Sequence, residues 1–296
     1  MIKWLCLFFS FILMLSAHSW LGLWISMEMN SLSFIPIMIE EGKENSLKYF
    51  LIQSVASVIF LASTLNQSLS FLIPLALLIK IGAAPFHMWL VSISKSMSWS
   101  IMALLMTFQK IGPLLGLTMI QFTNSFFILV SAMIGGLGGL NQSNLRLIMA
   151  FSSVSHLSWL MINMTSFFLV SIYFITYLII LCFVMALLQQ KGLFSLTQMG
   201  NYTSLMYKTS ILFGLLSLAG LPPFLGFFIK WMSLEMNILS PIIVMVLVMS
   251  SCFSVYFYFK IAMSALLFPS EMKSKSMEAL AILSMMFNIL LPLFFL

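Results

Sequence analysis

The sequence predicts an all-α fold: a polytopic transmembrane bundle of about 11 helices, with broken helices and internal inverted repeats. The composition is the first observation behind this prediction. Of the 296 residues, 62% are hydrophobic and 7% are charged, whereas soluble domains carry about 25% charged residues. The mean hydropathy of +1.13 is spread along the whole chain, which excludes a separate soluble nucleotide-binding or catalytic domain.

The spacing of the apolar stretches is the second observation. A helix needs about 20 apolar residues to cross about 30 Å of hydrocarbon. Charges, Asn residues and turn residues divide the chain into stretches of this kind. We predict spans over residues 2–17, 21–39, 47–65, 69–90, 99–120, 124–140, 147–163, 166–188, 209–231, 238–260 and 278–296. Because the loops between them are short, we predict that residues 1–296 form a single membrane domain.

The distribution of basic side chains is the third observation, since these residues accumulate in loops on the cytoplasmic or matrix face. With eleven spans, ten of the 13 basic residues fall at the amino terminus or in even-numbered loops, which share one face. They are Lys3, Lys43, Lys48, Lys95, Arg146, Lys191, Lys208, Lys260, Lys273 and Lys275. The opposite face receives none. We therefore predict the amino terminus on the positive face and the carboxyl terminus on the other.

Four charged residues remain inside predicted spans. Glu28, Lys80 and Lys110 lie in the first half of the chain and Lys230 in the second. A charge at the centre of a span costs at least ~2.5–3.5 kcal/mol. A lysine reduces this cost by releasing its proton, whereas a nearby carboxylate favours the charged form, so such residues can carry protons. The alternative is that each lysine extends its stem to the membrane surface.

Helix-breaking residues accompany two of these lysines. Pro74 precedes Lys80, and Pro222 and Pro223 precede Lys230. Irregular backbone at membrane depth is tolerated where it is enclosed by protein or lines a wet cavity. Two interrupted spans in the two halves of the chain therefore predict an internal structural repeat, an arrangement that marks ion pathways in transporters.

Two histidines are candidate proton relays. His87 follows Lys80 by seven residues, which puts both on one helix face unless Pro85 turns the chain. His156 lies within a stripe of serines. Each histidine is equally well explained as a hydrogen-bonded structural residue. No spacing of His, Cys or carboxylate residues predicts a metal site, and Gly135 and Gly139 predict close helix packing.

Several motifs carry a family resemblance. WISMEMNSLSFIPIM, KIGAAPFHMW, FQKIGPL, NQSNLRLIMAFSSVSHLSW and GLPPFLGFFIKW occur in this order between about residues 20 and 232. In these motifs the chain resembles the family of subunit 2 of mitochondrial NADH:ubiquinone oxidoreductase, respiratory complex I. The resemblance implies an antiporter-like fold and a mitochondrially encoded subunit of the inner-membrane arm. It also implies an amino terminus in the matrix and a carboxyl terminus in the intermembrane space.

The resemblance also implies roles for the buried charges. Glu28 and Lys80 would form a pair whose opening drives proton transfer, and Lys110 and Lys230 would continue the path. The chain would carry no cofactor, since NAD, FMN, iron-sulfur clusters and ubiquinone would bind to partner subunits. The expected partners are the other membrane-arm subunits, including the other antiporter-like ones, and cardiolipin, with no nucleic acid. Leu147 departs from the family pattern, which has a second basic residue after Arg146.

Two alternatives to a proton channel of complex I remain open. The first is a stand-alone cation/proton antiporter of the same ancestral fold. The absence of Asp from the sequence argues against it, because the chain has no intramembrane Asp pair. The second is a structural spacer of the membrane arm, whose lysines only contact neighbouring subunits. A continuous chain of water between the lysines would favour conduction, and dry, tightly packed lysines would favour the spacer.

Overall fold

A computed structural model describes residues 2–196, 198, 205–222, 224–237 and 240–266. The predicted span 278–296, together with Lys273, Lys275 and Pro223, lies outside these residues. Within the described ranges the chain forms helices and no β-strand, apart from an isolated bridge between Asn144 and Ser195. The prediction of an all-α fold is confirmed.

The described residues group into two compact units. The first comprises residues 2–123 with Met164–Ser166, and the second comprises Asn124–Asn163 and the described residues from 167 to 266. Glu28, Lys80 and Lys110 therefore lie in the first unit, and Lys230 lies in the second. The region predicted as one membrane domain thus contains two units, each with its own buried charges.

Helices in the first unit follow the predicted spans closely. They are α1 (Ile2–Leu15), α2 (Trp20–Ile39), α3 (Lys43–Leu65), α4 (Leu72–Ile81), α5 (Met88–Ser94), α6 (Trp99–Met106) and α7 (Phe108–Ile120). Those of the second unit are α8 (Ser125–Gly138), α9 (Leu145–Ile162), α10 (Phe167–Gln190), α11 (Leu205–Ala219), α12 (Leu225–Glu235) and α13 (Pro241–Leu266). Short 3₁₀ turns follow α3 and α9.

Length and hydropathy qualify many of these helices to cross a membrane. In the described part of the chain, six segments are long and apolar enough, namely Trp20–Ile39, Lys43–Leu65, Trp99–Ile120, Leu145–Thr165, Phe167–Gln190 and Pro241–Ser264. The shorter apolar helices Lys3–Leu15, Leu72–Ile81, Ser125–Gly138 and Tyr207–Ala219 correspond to further predicted spans. Among the loop lysines that the structure describes, Lys208 is the buried one, and it lies within α11.

Both spans that were predicted to be interrupted are broken, but one break lies elsewhere than predicted. The span 69–90 divides into α4 and α5, and the interruption follows Lys80 instead of preceding it at Pro74. Pro74 lies in the first turn of α4, where a helix loses no internal hydrogen bond to proline. Gly82 ends α4 in the left-handed conformation, with a φ of 75°.

The second break shares a local pattern with the first. Gly220 ends α11 with a φ of 81°, and the residues that follow each glycine read GAAPF at 82–86 and GLPPF at 220–224. Both interrupted spans therefore turn at a left-handed glycine followed by a Pro-Phe pair. Lys80 precedes its glycine and Lys230 follows its own, so the lysines do not occupy equivalent positions.

Glycine permits close helix contacts in the second unit. A Cβ atom added to Gly135 would lie 2.4 Å from the main-chain nitrogen of Ser155 on α9. A Cβ on Gly139 would lie 2.9 Å from the ring of Phe257 on α13. The two glycines, predicted as one packing pair, therefore serve contacts with two different helices.

Replacing Gly135 by Ala should destabilise the second unit, because the new methyl group meets main-chain atoms that cannot rotate away. Overpacking of this kind costs about 1–3 kcal/mol. The measurement is the temperature at which half of the detergent-solubilised protein is lost from the folded fraction. Gly42→Ala is the matched control, since its Cβ would meet its nearest atom at an ordinary 3.6 Å. Equal midpoints for the two variants would contradict this packing argument.

Candidate proton-transfer site

The first unit brings Glu28 and Lys80 into direct contact. The Lys80 Nζ atom donates a hydrogen bond to Glu28 Oε1 at 3.0 Å. The Lys80 side chain is 2% exposed and that of Glu28 is 23% exposed. Lys80 lies in the last turn of α4, where the helix dipole also favours a positive charge. Removal of either partner would leave an uncompensated charge inside the protein.

Side chains from two other helices satisfy the end of α4 next to this pair. Gln53 Nε2 on α3 donates to the Lys80 carbonyl at 3.3 Å, and Trp89 Nε1 on α5 donates to the Ile79 carbonyl at 3.1 Å. The last carbonyls of a helix have no internal donor, and hydrocarbon supplies none. The main chain of Lys80 is therefore held by neutral donors, which leaves its ammonium group available to Glu28.

A second polar cluster precedes Lys110. Gln109 Oε1 accepts hydrogen bonds from Tyr49 at 2.9 Å and from Asn30 Nδ2 at 3.1 Å. In return, Gln109 Nε2 donates to Asn30 Oδ1 at 3.3 Å. Lys110 itself is 2% exposed. The cluster joins α2, α3 and α7 immediately beside this buried lysine.

One face of α3 contacts both lysine-bearing segments. Tyr49 and Gln53 lie one helical turn apart and so project from the same face. Tyr49 binds the Gln109 side chain, and Gln53 binds the Lys80 carbonyl. The Tyr49 ring also makes edge contacts with Trp89, at a centroid distance of 6.0 Å. Helix α3 therefore fixes the surroundings of both lysines without contributing a charge there.

In the second unit, Lys230 caps the end of the preceding half-helix. Its Nζ atom donates to the Ala219 carbonyl at 2.7 Å and lies 5.6 Å from the centroid of the Trp159 ring. A Cβ on Gly220 would come within 3.0 Å of this Nζ atom. Within the described residues, Lys230 forms no ion pair. Its charge instead meets the negative end of the α11 dipole.

The two histidines have different surroundings. His156 Nδ1 lies 2.9 Å from the Tyr173 hydroxyl, beside a cavity of about 10 Å³ that Ser217 also lines. This volume is about the smallest that can hold one water molecule. His87 lies in the break after α4, with its Nδ1 atom 3.3 Å from the Pro85 carbonyl. The chain turns between Lys80 and His87, so the helical spacing expected for this pair does not apply.

Sequence reasoning did not identify a polar clamp at the end of α12. Asn163 Nδ2 donates to Ser233 Oγ at 2.9 Å, and Asn237 Nδ2 donates to Asn163 Oδ1 at 2.8 Å. The clamp fixes α12 one turn beyond Lys230. Asn and Gln side chains inside predicted spans indicate a buried polar site, as buried charges do, because they need hydrogen-bond partners there. That criterion would also have selected Gln109 and Asn30.

In the described ranges, no three His, Cys, Asp or Glu side chains lie close enough together to hold a metal ion. The polar chemistry found in both units is that of amines, amides, hydroxyls and imidazoles. Amines and imidazoles bind and release protons, and amides and hydroxyls orient them through hydrogen bonds.

Comparison with known proteins places the chain among respiratory membrane subunits. Residues 61–257 match the family described as NADH:quinone oxidoreductase/Mrp antiporter, transmembrane. The chain is 81% identical to NADH-ubiquinone oxidoreductase chain 2 of Artemia franciscana over 296 residues, which is 100% of both chains. It is 39% identical to the protein of that name from Anopheles gambiae, covering 87% of this chain and 83% of the relative.

A solved structure shares the fold. A chain of respiratory complex I from Thermus thermophilus with bound aureothin superposes with a TM-score of 0.81 at 20% identity. The match covers 95% of this chain and 74% of that chain. The antiporter-like helical fold is confirmed.

Gly220→Ala should destabilise the second unit for two reasons. The residue has a φ of 81°, where a side chain costs roughly 1–2 kcal/mol, and the new methyl group would contact the Lys230 side chain. Gly192→Ala is the matched control, because Gly192 has a φ of 61° and no atom within 4 Å of a Cβ position. Thermal unfolding should show a larger loss for Gly220→Ala. Equal losses would mean that only backbone strain matters.

Proposed function

This chain belongs to the NADH:quinone oxidoreductase/Mrp antiporter family, among the NADH-ubiquinone oxidoreductase chain 2 proteins, and we propose that it forms a proton channel. It is an antiporter-like membrane-arm subunit of complex I, the proton-translocating NADH:ubiquinone oxidoreductase. Electron transfer from NADH to ubiquinone, in partner subunits with FMN and iron-sulfur clusters, would supply the driving force. No redox centre is assigned to this chain.

The proposal includes a location and an orientation. The protein would lie in the mitochondrial inner membrane, with the amino terminus in the matrix and the carboxyl terminus in the intermembrane space. The predicted concentration of its basic loop residues on one face supports that orientation. The same residues would attract the acidic head groups of cardiolipin. Neighbouring antiporter-like subunits would be its protein partners.

The contact between Lys80 and Glu28 carries the proposal. In the closed pair, the carboxylate stabilises the ammonium form of Lys80. Separation of the pair would leave the almost fully enclosed Lys80 ammonium group without its counter-ion. Lys80 would then release one proton to the next acceptor. Glu28 is the more exposed partner, so its side chain is the one that can move away. Closure would restore the charged form after a proton returns to Lys80.

The remaining assignments follow the family resemblance and the local chemistry. Lys110 would be the next proton acceptor in the first unit. Lys230 would continue the path in the second unit, where its contact with the Ala219 carbonyl gives it a defined position. His87 and His156 are proposed relays, because imidazole takes up and releases protons near neutral pH.

Lys80→Met should reduce coupled proton pumping while the complex still assembles. The substitution keeps an apolar stem of similar length and removes the proton carrier. We expect turnover coupled to pumping to fall roughly tenfold, which corresponds to about 1.4 kcal/mol on the barrier. The measurements are the rate of proton uptake and the rate of NADH oxidation in sealed vesicles, each normalised to assembled complex. Lys95→Met, at an exposed residue of the same unit, is the matched control. Unchanged pumping by Lys80→Met would support the structural-spacer alternative.

The partner assignment can be tested before any substitution. Mild solubilisation and native electrophoresis should place this chain in a large band with NADH dehydrogenase activity, identified by mass spectrometry. We expect this because buried charges and short loops are typical of a subunit that is surrounded by other subunits. Migration of the chain by itself, with ion transport after reconstitution alone, would favour the stand-alone cation/proton antiporter.

A further inference from the structure

The side chain of Gln109 connects three helices beside a buried lysine. It exchanges a pair of hydrogen bonds with Asn30 on α2 and accepts a third from Tyr49 on α3. Tyr49 is 1% exposed and Asn30 is 2% exposed. Amide groups at this depth are costly unless they are satisfied within the protein. The three hydrogen bonds give the Gln109 amide one defined orientation.

The backbone around Gln109 has less internal support than a regular helix. Helix α6 ends at Met106, and Thr107 has a φ of −116° and a ψ of −79°. Further along, Pro113 lies inside α7, so the Gln109 carbonyl lacks the helical N–H donor that a residue other than proline would supply. Residues 107–110 therefore lie between two defects in the hydrogen-bond ladder. A side-chain anchor at Gln109 compensates for that missing support.

Helix α2 connects this anchor to the ion pair. Glu28 and Asn30 are separated by about 200° around the helix axis. Glu28 contacts Lys80, and Asn30 contacts Gln109, which directly precedes Lys110. A shift of α2 that accompanies opening of the ion pair would therefore be transmitted to the backbone of Lys110.

We propose that Gln109 is a positioning residue, which through Asn30 and Tyr49 holds Lys110 in register with the Glu28–Lys80 pair. The inference rests on the proposed function, because it assumes that protons pass through Lys110. Gln109 keeps its own protons throughout. Its effect is to fix where the Lys110 amine lies when a proton arrives.

The test exchanges the lengths of the two amide side chains. Gln109→Asn shortens one partner, Asn30→Gln lengthens the other, and the double variant N30Q/Q109N restores the combined length. Tyr49→Phe is a milder variant, which removes one hydroxyl and retains the ring contacts with Phe34 and Trp89. Gln67→Asn, at an exposed residue, is the matched control. Each variant is measured in the whole complex.

Pumping rate per assembled complex and the KM for ubiquinone are the readouts. Gln109→Asn and Asn30→Gln should each lower pumping roughly fivefold, the scale of one lost hydrogen bond, with KM unchanged because quinone binds elsewhere. The double variant should recover at least half of the parent rate. A purely structural role would instead reduce the amount of complex and leave the normalised rate intact.

Lys110→Met in the same series separates the two proposals. If Lys110→Met lowers pumping but both amide variants pump at the parent rate, Gln109 has no positioning role and the proton-channel proposal stands. Failure of the double variant to recover would also overturn the positioning role. If Lys110→Met itself pumps normally, the proposed path through Lys110 fails.

Discussion

Main-chain carbonyls at broken helix ends must find donors inside the protein, because hydrocarbon provides none. This constraint accounts for the chemistry at the two helix ends beside Lys80 and Lys230. At the end of α4, Gln53 and Trp89 provide neutral donors. At the end of α11, the Lys230 ammonium group provides a charged one. The same constraint is therefore met by neutral donors at one break and by a lysine at the other.

The two breaks begin alike and are completed differently. Each begins at a left-handed glycine, Gly82 or Gly220, and continues into a Pro-Phe pair. In the first unit neutral side chains satisfy the backbone, so Lys80 is available for a partner that can move. In the second unit the lysine satisfies the backbone itself, and the Asn163 clamp fixes its helix. The two breaks thus share a glycine turn, and each unit places its lysine differently relative to that turn.

The sequence predicts the spans and the buried charges well, because hydropathy and the cost of a charge in hydrocarbon depend on local composition. It predicts the places of helix breaks and side-chain contacts less well, because these depend on residues far apart in the chain. The break near Lys80 lies at Gly82 instead of Pro74, since proline is harmless in a first helical turn. The Gln109–Asn30 pair joins residues 79 positions apart, which no local pattern reveals. Gly139 likewise contacts Phe257 on α13, a helix far along the chain.

The side chains that form hydrogen bonds around Lys80 and Lys110 are neutral apart from Glu28. A proton path favours such neutral surroundings, because their geometry does not change when a proton passes. Tyr49, Gln53 and Gln109 form hydrogen bonds that do not depend on whether a neighbouring amine is charged. A charged scaffold would reorganise with every proton that passed, and that reorganisation would add to the barrier. Neutral dipoles with fixed orientations keep the same geometry in both protonation states. Among the described residues, Glu28 is the charged partner of Lys80 and is the more exposed of the two, so the ion pair can open on the Glu28 side.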